Sequence, residues 1–116
     1  MHELYIAECV LKSAKKSLPA DTVPEAIELV CIRVGKLDAV IPESLKFLFD
    51  AIKPAHNMPH AALEIEEEAV KCRCKSCQVE FALNEPVFVC PECGHRDLTI
   101  IAGRGITLQQ ITIKED

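Results

Sequence analysis

Apolar residues return every third or fourth position from Leu4 through Ala7, Leu11 and Ala14 to Leu18, the spacing of one buried helix face. Acidic residues open this stretch, Lys12, Lys15 and Lys16 close it as the helix dipole favours, and Pro19 ends it. The period then changes. Between Pro24 and Gly35 the run EAIELVCIRVG is rich in β-branched side chains and predicts a buried strand. PESLKFLFDAIKP returns to helical spacing, with Pro42 at the start, Leu45, Leu48, Phe49 and Ile52 on one face, and Pro54 as the stop. In AALEIEEEAV, Leu63 and Ile65 alternate with Glu64 and Glu66, as in a half-exposed strand. LTIIAGRGITLQQITIKED supplies two more strands separated by Gly103-Arg104-Gly105, with Gln109 and Gln110 breaking the alternation as a bulge would. The simplest assembly is α+β: two helices packed on a small mixed sheet of about three strands.

One segment follows neither period. CKSCQVEFALNEPVFVCPECGH holds Cys74, Cys77, Cys90 and Cys93 in two C-x-x-C pairs twelve residues apart. Each pair makes a tight turn that points two thiolates at one centre, and two turns closed by a hairpin complete a tetrahedral shell suited to zinc. Val87 to Val89 should be a short strand entering the second turn, and Gly94 permits the bend beyond it. The segment predicts an inserted zinc ribbon, with residues 1–70 as the first part of an α+β domain, 71–99 as the ribbon, and 100–116 completing the first domain. Four thiolates leave zinc no open position, so the site is structural and not catalytic; Lys71, Arg73, Lys75 and Arg96 would offset its charge. Cys72 is a spare thiol close enough to compete, and Cys9 and Cys31 fall on apolar faces where small buried hydrophobes are usual.

Composition narrows the function. The chain has 116 residues, four Phe, one Tyr and no Trp, enough for one modest aliphatic core. Its seven cysteines are odd in number and nothing marks the chain for export, which favours reduced thiols and metal ligation in a cytoplasmic protein. No apolar run approaches the length of a membrane helix. A zinc ribbon can also serve as a protein- or nucleic-acid-binding module, and KCRCK with Arg96 could touch phosphates. Yet the net charge is -5, the pI about 5.4, and no aromatics interleave the basic residues. Enzyme chemistry has less support: there is no nucleophile with a plausible base and no phosphate-cradling glycine loop. The acidic EIEEEAV run is most simply a solvated strand face.

The first three residues, Met1-His2-Glu3, raise a separate possibility. His2 is a poor helix cap. Its imidazole and backbone amide, with the Met1 amine and the Glu3 amide, could instead form fused chelate rings, a nitrogen-rich environment suited to Ni(II) or Cu(II). A solvated histidine near a frayed terminus is the alternative. His95, after the last zinc cysteine, could add a donor to nickel, replace a lost thiolate on zinc, or be a solvated turn residue. His56 and His60 have helical spacing, but flanking prolines favour a loop.

MHE at the start, the block IRVGKLDAVIPESLKFLFDAI, and the pair CKSCQ and CPECG together resemble the HypA family of [NiFe]-hydrogenase nickel-insertion proteins, over essentially the whole chain. The resemblance implies a nickel metallochaperone: one transient Ni(II) held by His2, backbone nitrogens of His2 and Glu3 and sometimes the Met1 amine, and one structural Zn(II) on Cys74, Cys77, Cys90 and Cys93. It also implies a nickel-handling GTPase and the hydrogenase large-subunit precursor as partners; with charge and hydropathy giving no support for a nucleic acid or membrane partner, the chain is expected to act as a monomer or weak dimer.

Overall fold

The structure is a computed structural model that describes residues 2–83, 85 and 87–114. Helices α1 (Glu3–Lys16) and α2 (Pro42–Ile52) and six strands follow in the order α1, β1 (Ile27–Gly35), α2, β2 (Ala62–Glu68), β3 (Val70–Cys74), β4 (Glu80–Leu83), β5 (Leu98–Ala102) and β6 (Ile106–Ile113). Two three-stranded sheets result, one ordered β2-β1-β6 and the other β4-β3-β5. The fold class is α+β. The chain divides into two compact units, one of Met1–Arg33, Val40–Glu66 and Thr107–Asp116, the other of Val34–Ala39 and Glu67–Ile106.

In the first unit α1 packs on α2. Ala7, Val10, Leu11 and Ala14 are buried along α1, and the two alanines let the helix backbones approach. Leu45 and Phe49 are buried on α2, while Leu48 and Ile52 are half-buried. Ile27, Val30 and Ile32 of β1, with Met58, Ala61 and Leu63, complete the apolar interior. Pro42 opens α2 at its first turn, as expected, behind an extended Ile41 that has no side-chain cap.

The start of α1 departs from the periodicity. Leu4 was expected on the buried face, yet it is 47% exposed, whereas Glu3 is buried at 9%. A stripe running back from Ala14 through Ala7 reaches position 3, so the helix turns its first glutamate, and not its first leucine, toward the protein.

In the second unit β3 is central, antiparallel to β4 with Val70 opposite Leu83 and to β5 with Cys74 opposite Leu98. Lys71 and Cys72 are consecutive on β3 but face Ala102 and Ile100, which leaves Ile101 as an extra residue on β5. Gln109 and Gln110 are both exposed, so the alternation of β6 does break there. The segment Val87–Val89 was expected as a strand but has no regular structure; β4 supplies the strand between the two cysteine pairs. Gly103-Arg104-Gly105 does separate two strands, which then join different sheets. Around this turn the backbones nearly touch. Gly35 N donates to Gly105 O at 2.9 Å and Leu37 N to Gly103 O at 3.0 Å. A Cβ on Gly35 would lie 2.1 Å from Gly103 O, so no larger residue fits.

Candidate metal centres

Each C-x-x-C pair is folded by its own backbone, and the two are folded alike. Cys74 N donates to Val79 O at 2.9 Å and Gln78 N to Cys74 O at 2.9 Å; Cys90 N donates to His95 O at 2.9 Å and Gly94 N to Cys90 O at 2.9 Å. The residue after each second cysteine is left-handed, Gln78 at φ 68° and Gly94 at φ 76°. Glycine takes this conformation without penalty; Gln78 takes it with its side-chain amide donating to Lys75 O at 3.1 Å. The sequence revealed the role of Gly94 but not that of Gln78, whose equivalence shows only when the two turns are aligned on their cysteines.

The turns bring four sulfurs together. Cys74 Sγ is 3.5 Å from Cys93 Sγ and Cys77 Sγ is 3.6 Å from Cys90 Sγ, and all four sulfurs lie within 4.8 Å of one another. A tetrahedral zinc with Zn–S of about 2.3 Å has sulfur edges of about 3.8 Å, so the cluster fits that ion. Cys74 and Cys90 are buried and Cys77 and Cys93 exposed, which closes the site on one side. Among the described residues this is the one group of three or more His, Cys, Asp or Glu side chains that could hold a metal. Cys72, buried on β3, lies outside it, and burial pushes its thiol up.

Crowded thiols cannot all ionise without a cation, and Cys74, Cys77 and Cys93 are shifted in different directions. The Cys77 backbone N–H pulls Cys74 down, with help from the Ser76 N–H and against desolvation, to about 6. The His95 backbone N–H pulls Cys93 down too, but desolvation and the neighbouring thiols of Cys74, Cys90 and Cys77 outweigh it and push Cys93 up to about 12. Cys77 is raised: its bond from the Val79 N–H favours the thiolate, but burial and the thiols of Cys90 and Cys74 prevail. A metal-free cage near neutral pH is thus poised with a thiolate at Cys74, and a cation supplies what the remaining ionisations need.

Among the cations expected to balance this charge, Arg73 and Lys75 are themselves paired with carboxylates. Arg73 Nη2 meets Glu80 Oε2 at 2.6 Å and Lys75 Nζ meets Asp97 Oδ1 at 3.5 Å. Backbone N–H groups in the turns are the nearer source of compensation. Exposed His95 sits beside the cage with Nδ1 3.1 Å from Cys93 Sγ, in contact with a ligand position but not among the four.

The second candidate is the start of α1. His2 is exposed and its carbonyl accepts from Ile6 N at 3.0 Å, so it occupies the cap position, but its side chain makes no capping bond. Its backbone is left-handed, φ 54° and ψ 24°, a conformation that non-glycine residues seldom take. With ψ this close to zero, the nitrogens of His2 and Glu3 lie on the same side of the bond between them, the arrangement that a five-membered chelate ring requires. Met1, also expected at this site, lies outside the described residues. His56 is half-buried in a short 3-10 turn and exposed His60 lies near Glu25, Glu28 and Lys114; neither joins a metal cluster.

A family model described as "Hydrogenase/urease nickel incorporation, metallochaperone, hypA" matches residues 1–113. The chain belongs to the HypA family. A hydrogenase maturation factor HypA of Desulfosudis oleivorans is 36% identical over 115 residues, covering 99% of this chain and 100% of that protein. One from Desulfatibacillum aliphaticivorans is 34% identical over 115 residues, covering 99% of this chain and 88% of that protein. The fold is similar to the solution structure of the Ni metallochaperone HypA from Helicobacter pylori, with a TM-score of 0.71, 21% identity and full coverage of both chains. HypA is thus a metallochaperone family for nickel incorporation, which points away from enzyme activity. Among the described residues no helix is long and apolar enough to cross a membrane.

Proposed function

We propose that this protein carries one Ni(II) at its amino terminus and releases it during hydrogenase maturation, while a zinc ion held by Cys74, Cys77, Cys90 and Cys93 keeps the second unit folded. Nickel is cargo. Its donors are the His2 imidazole, the amides of His2 and Glu3, and the Met1 amine, which together give the planar nitrogen set that suits this ion. The observation that carries the reading is the backbone of His2, exposed and with ψ 24° at the head of α1. Left-handed geometry costs a histidine about 1 kcal/mol, so a local arrangement that aligns two amide nitrogens is maintained against an adverse preference.

Release follows from the small number of donors and their exposure. An acceptor can approach His2 from solvent and replace its ligands one at a time, ending with the [NiFe]-hydrogenase large-subunit precursor. Nucleotide hydrolysis comes from a nickel-handling GTPase partner, because the protein itself performs no catalysis. Zinc, when bound, supplies the cross-link that ties the two cysteine turns together.

Titration of untagged protein with Ni(II), with metal content measured alongside, tests both sites. Wild type should hold one zinc and take up one nickel; His2→Ala should lose nickel binding by more than about a hundredfold while keeping zinc, the loss of a chelating donor. Undiminished nickel binding by His2→Ala would remove the amino terminus from the function.

A further inference from the structure

Glu3 is the one charged residue among the described residues that is buried, at 9% exposure, while its neighbours His2, Leu4 and Tyr5 are exposed. A glutamate in a first helical turn normally stays in water, where the dipole already favours it. Here the carboxylate turns inward: its Oε2 accepts from the backbone N–H of Ile41 at 3.2 Å, across thirty-eight residues of chain. Ile41 is the residue before α2, and its own carbonyl accepts from Leu45 N at 3.0 Å. One carboxylate therefore joins the first turn of α1 to the first turn of α2, above the packed stripe of Ala7, Leu11, Leu45 and Phe49.

We infer that the Glu3 carboxylate is a positioning group for the nickel site: its bond to the Ile41 amide fixes the first turn of α1, and this fixes the backbone of His2 for chelation. The inference rests on the nickel reading proposed above and adds a division of labour within one residue. Glu3 would give the metal its amide nitrogen, while its side chain, engaged with Ile41, stays off the metal. A side chain bound to a separate segment also prevents the helix end from fraying, as first turns otherwise do. A frayed turn would leave the His2 and Glu3 nitrogens to be aligned anew at each binding event.

Three variants separate positioning from ligation. Glu3→Gln keeps an oxygen that can accept from Ile41 N but removes the charge. Glu3→Ala removes the acceptor. Ile41→Pro removes the donor and leaves Glu3 intact; residue 41 already has φ -92° and an extended ψ of 109°, which a proline can approach. Nickel affinity and the nickel d–d absorption band would be measured for each, with zinc content and thermal melting as controls. The expected result is near-wild-type affinity and an unchanged band for Glu3→Gln, and a loss of about tenfold for both Glu3→Ala and Ile41→Pro, the scale of one hydrogen bond to a charged group. Equal losses in Glu3→Gln and Glu3→Ala, or a shifted band in Glu3→Gln, would overturn the inference in favour of a carboxylate that acts on the metal directly.

The metal-free protein supplies a second arm. In amide hydrogen exchange, the Ile41 N–H should be protected in wild type and Glu3→Gln and unprotected in Glu3→Ala. Loss of nickel binding in wild type would overturn the nickel reading; an Ile41 amide indifferent to Glu3→Ala would overturn the tether.

Discussion

The four-cysteine cage and the head of α1 are both candidate metal centres, built in opposite ways. In the cage every donor is carried on a backbone turn, and two of the four sulfurs are buried. At the head of α1 one exposed imidazole stands beside two backbone nitrogens, and the Glu3 carboxylate, bonded to the Ile41 amide, restrains the turn that carries them. Convergent, enclosed donors retain an ion. Sparse, exposed ones let it leave. A chaperone with a structural ion and a cargo ion needs both kinds in one chain.

The largest effect should come from opening the cage. Cys90→Ser removes a buried sulfur, and because structural zinc contributes about 10 kcal/mol or more to small domains, the second unit should lose its fold. Amide exchange should then reach unfolded rates across residues 34–39 and 67–106 but stay slow across residues 27–33 of β1 and across α2. Equal loss of protection in the first unit would erase the contrast between the centres.

Protons give the next test. At pH 7 Cys74, with its value of about 6, is already ionised, whereas Cys93 at about 12 and the raised Cys77 are not. Zinc uptake should therefore release protons from Cys77 and Cys93, and affinity should rise with pH through the neutral range. Below about pH 6 protonation of Cys74 adds a further penalty, so zinc retention should fall more steeply there. Calorimetry in two buffers of different ionisation enthalpy counts the protons; a buffer-independent heat at pH 7 would mean a cage already charged.

The smallest effects separate the two cysteine turns. A Cβ at Gly94 would meet nothing within 4 Å, so Gly94→Ala pays only for its left-handed backbone, about 1 kcal/mol of stability for the zinc-loaded protein. Gln78→Gly should gain about as much, less the value of the Gln78 bond to Lys75 O. Thermal melts of the two variants should move in opposite directions. Shifts of the same sign would mean that the turns are alike in hydrogen bonding only.

What the sequence disclosed follows the range of the forces involved. Both cysteine turns are closed by bonds between residues four or five apart, so spacing alone located them. Proline marks both ends of α2, and its extent was equally plain. The exchange of Leu4 and Glu3 was hidden because the carboxylate's partner is the distant Ile41, and short-range periodicity favours the leucine. The strand role of Glu80–Leu83 was hidden as well, since only pairing with β3 makes those residues a strand. The partition of β5 and β6 between two sheets depends on long-range pairing that no local pattern records.

The strand order of the first sheet also bears on how the chain emerges from the ribosome. β1 lies between β2 and β6, and β6 is made after both of the others. All four cage cysteines are translated before β6, so the ribbon can bind its ion and fold while one edge of β1 still lacks its partner. Until β6 arrives, that edge offers unpaired backbone groups beside an apolar strand, the kind of surface through which nascent chains aggregate. Zinc supply and translation speed across residues 94–113 would then set the yield of usable protein, independently of any step in nickel transfer.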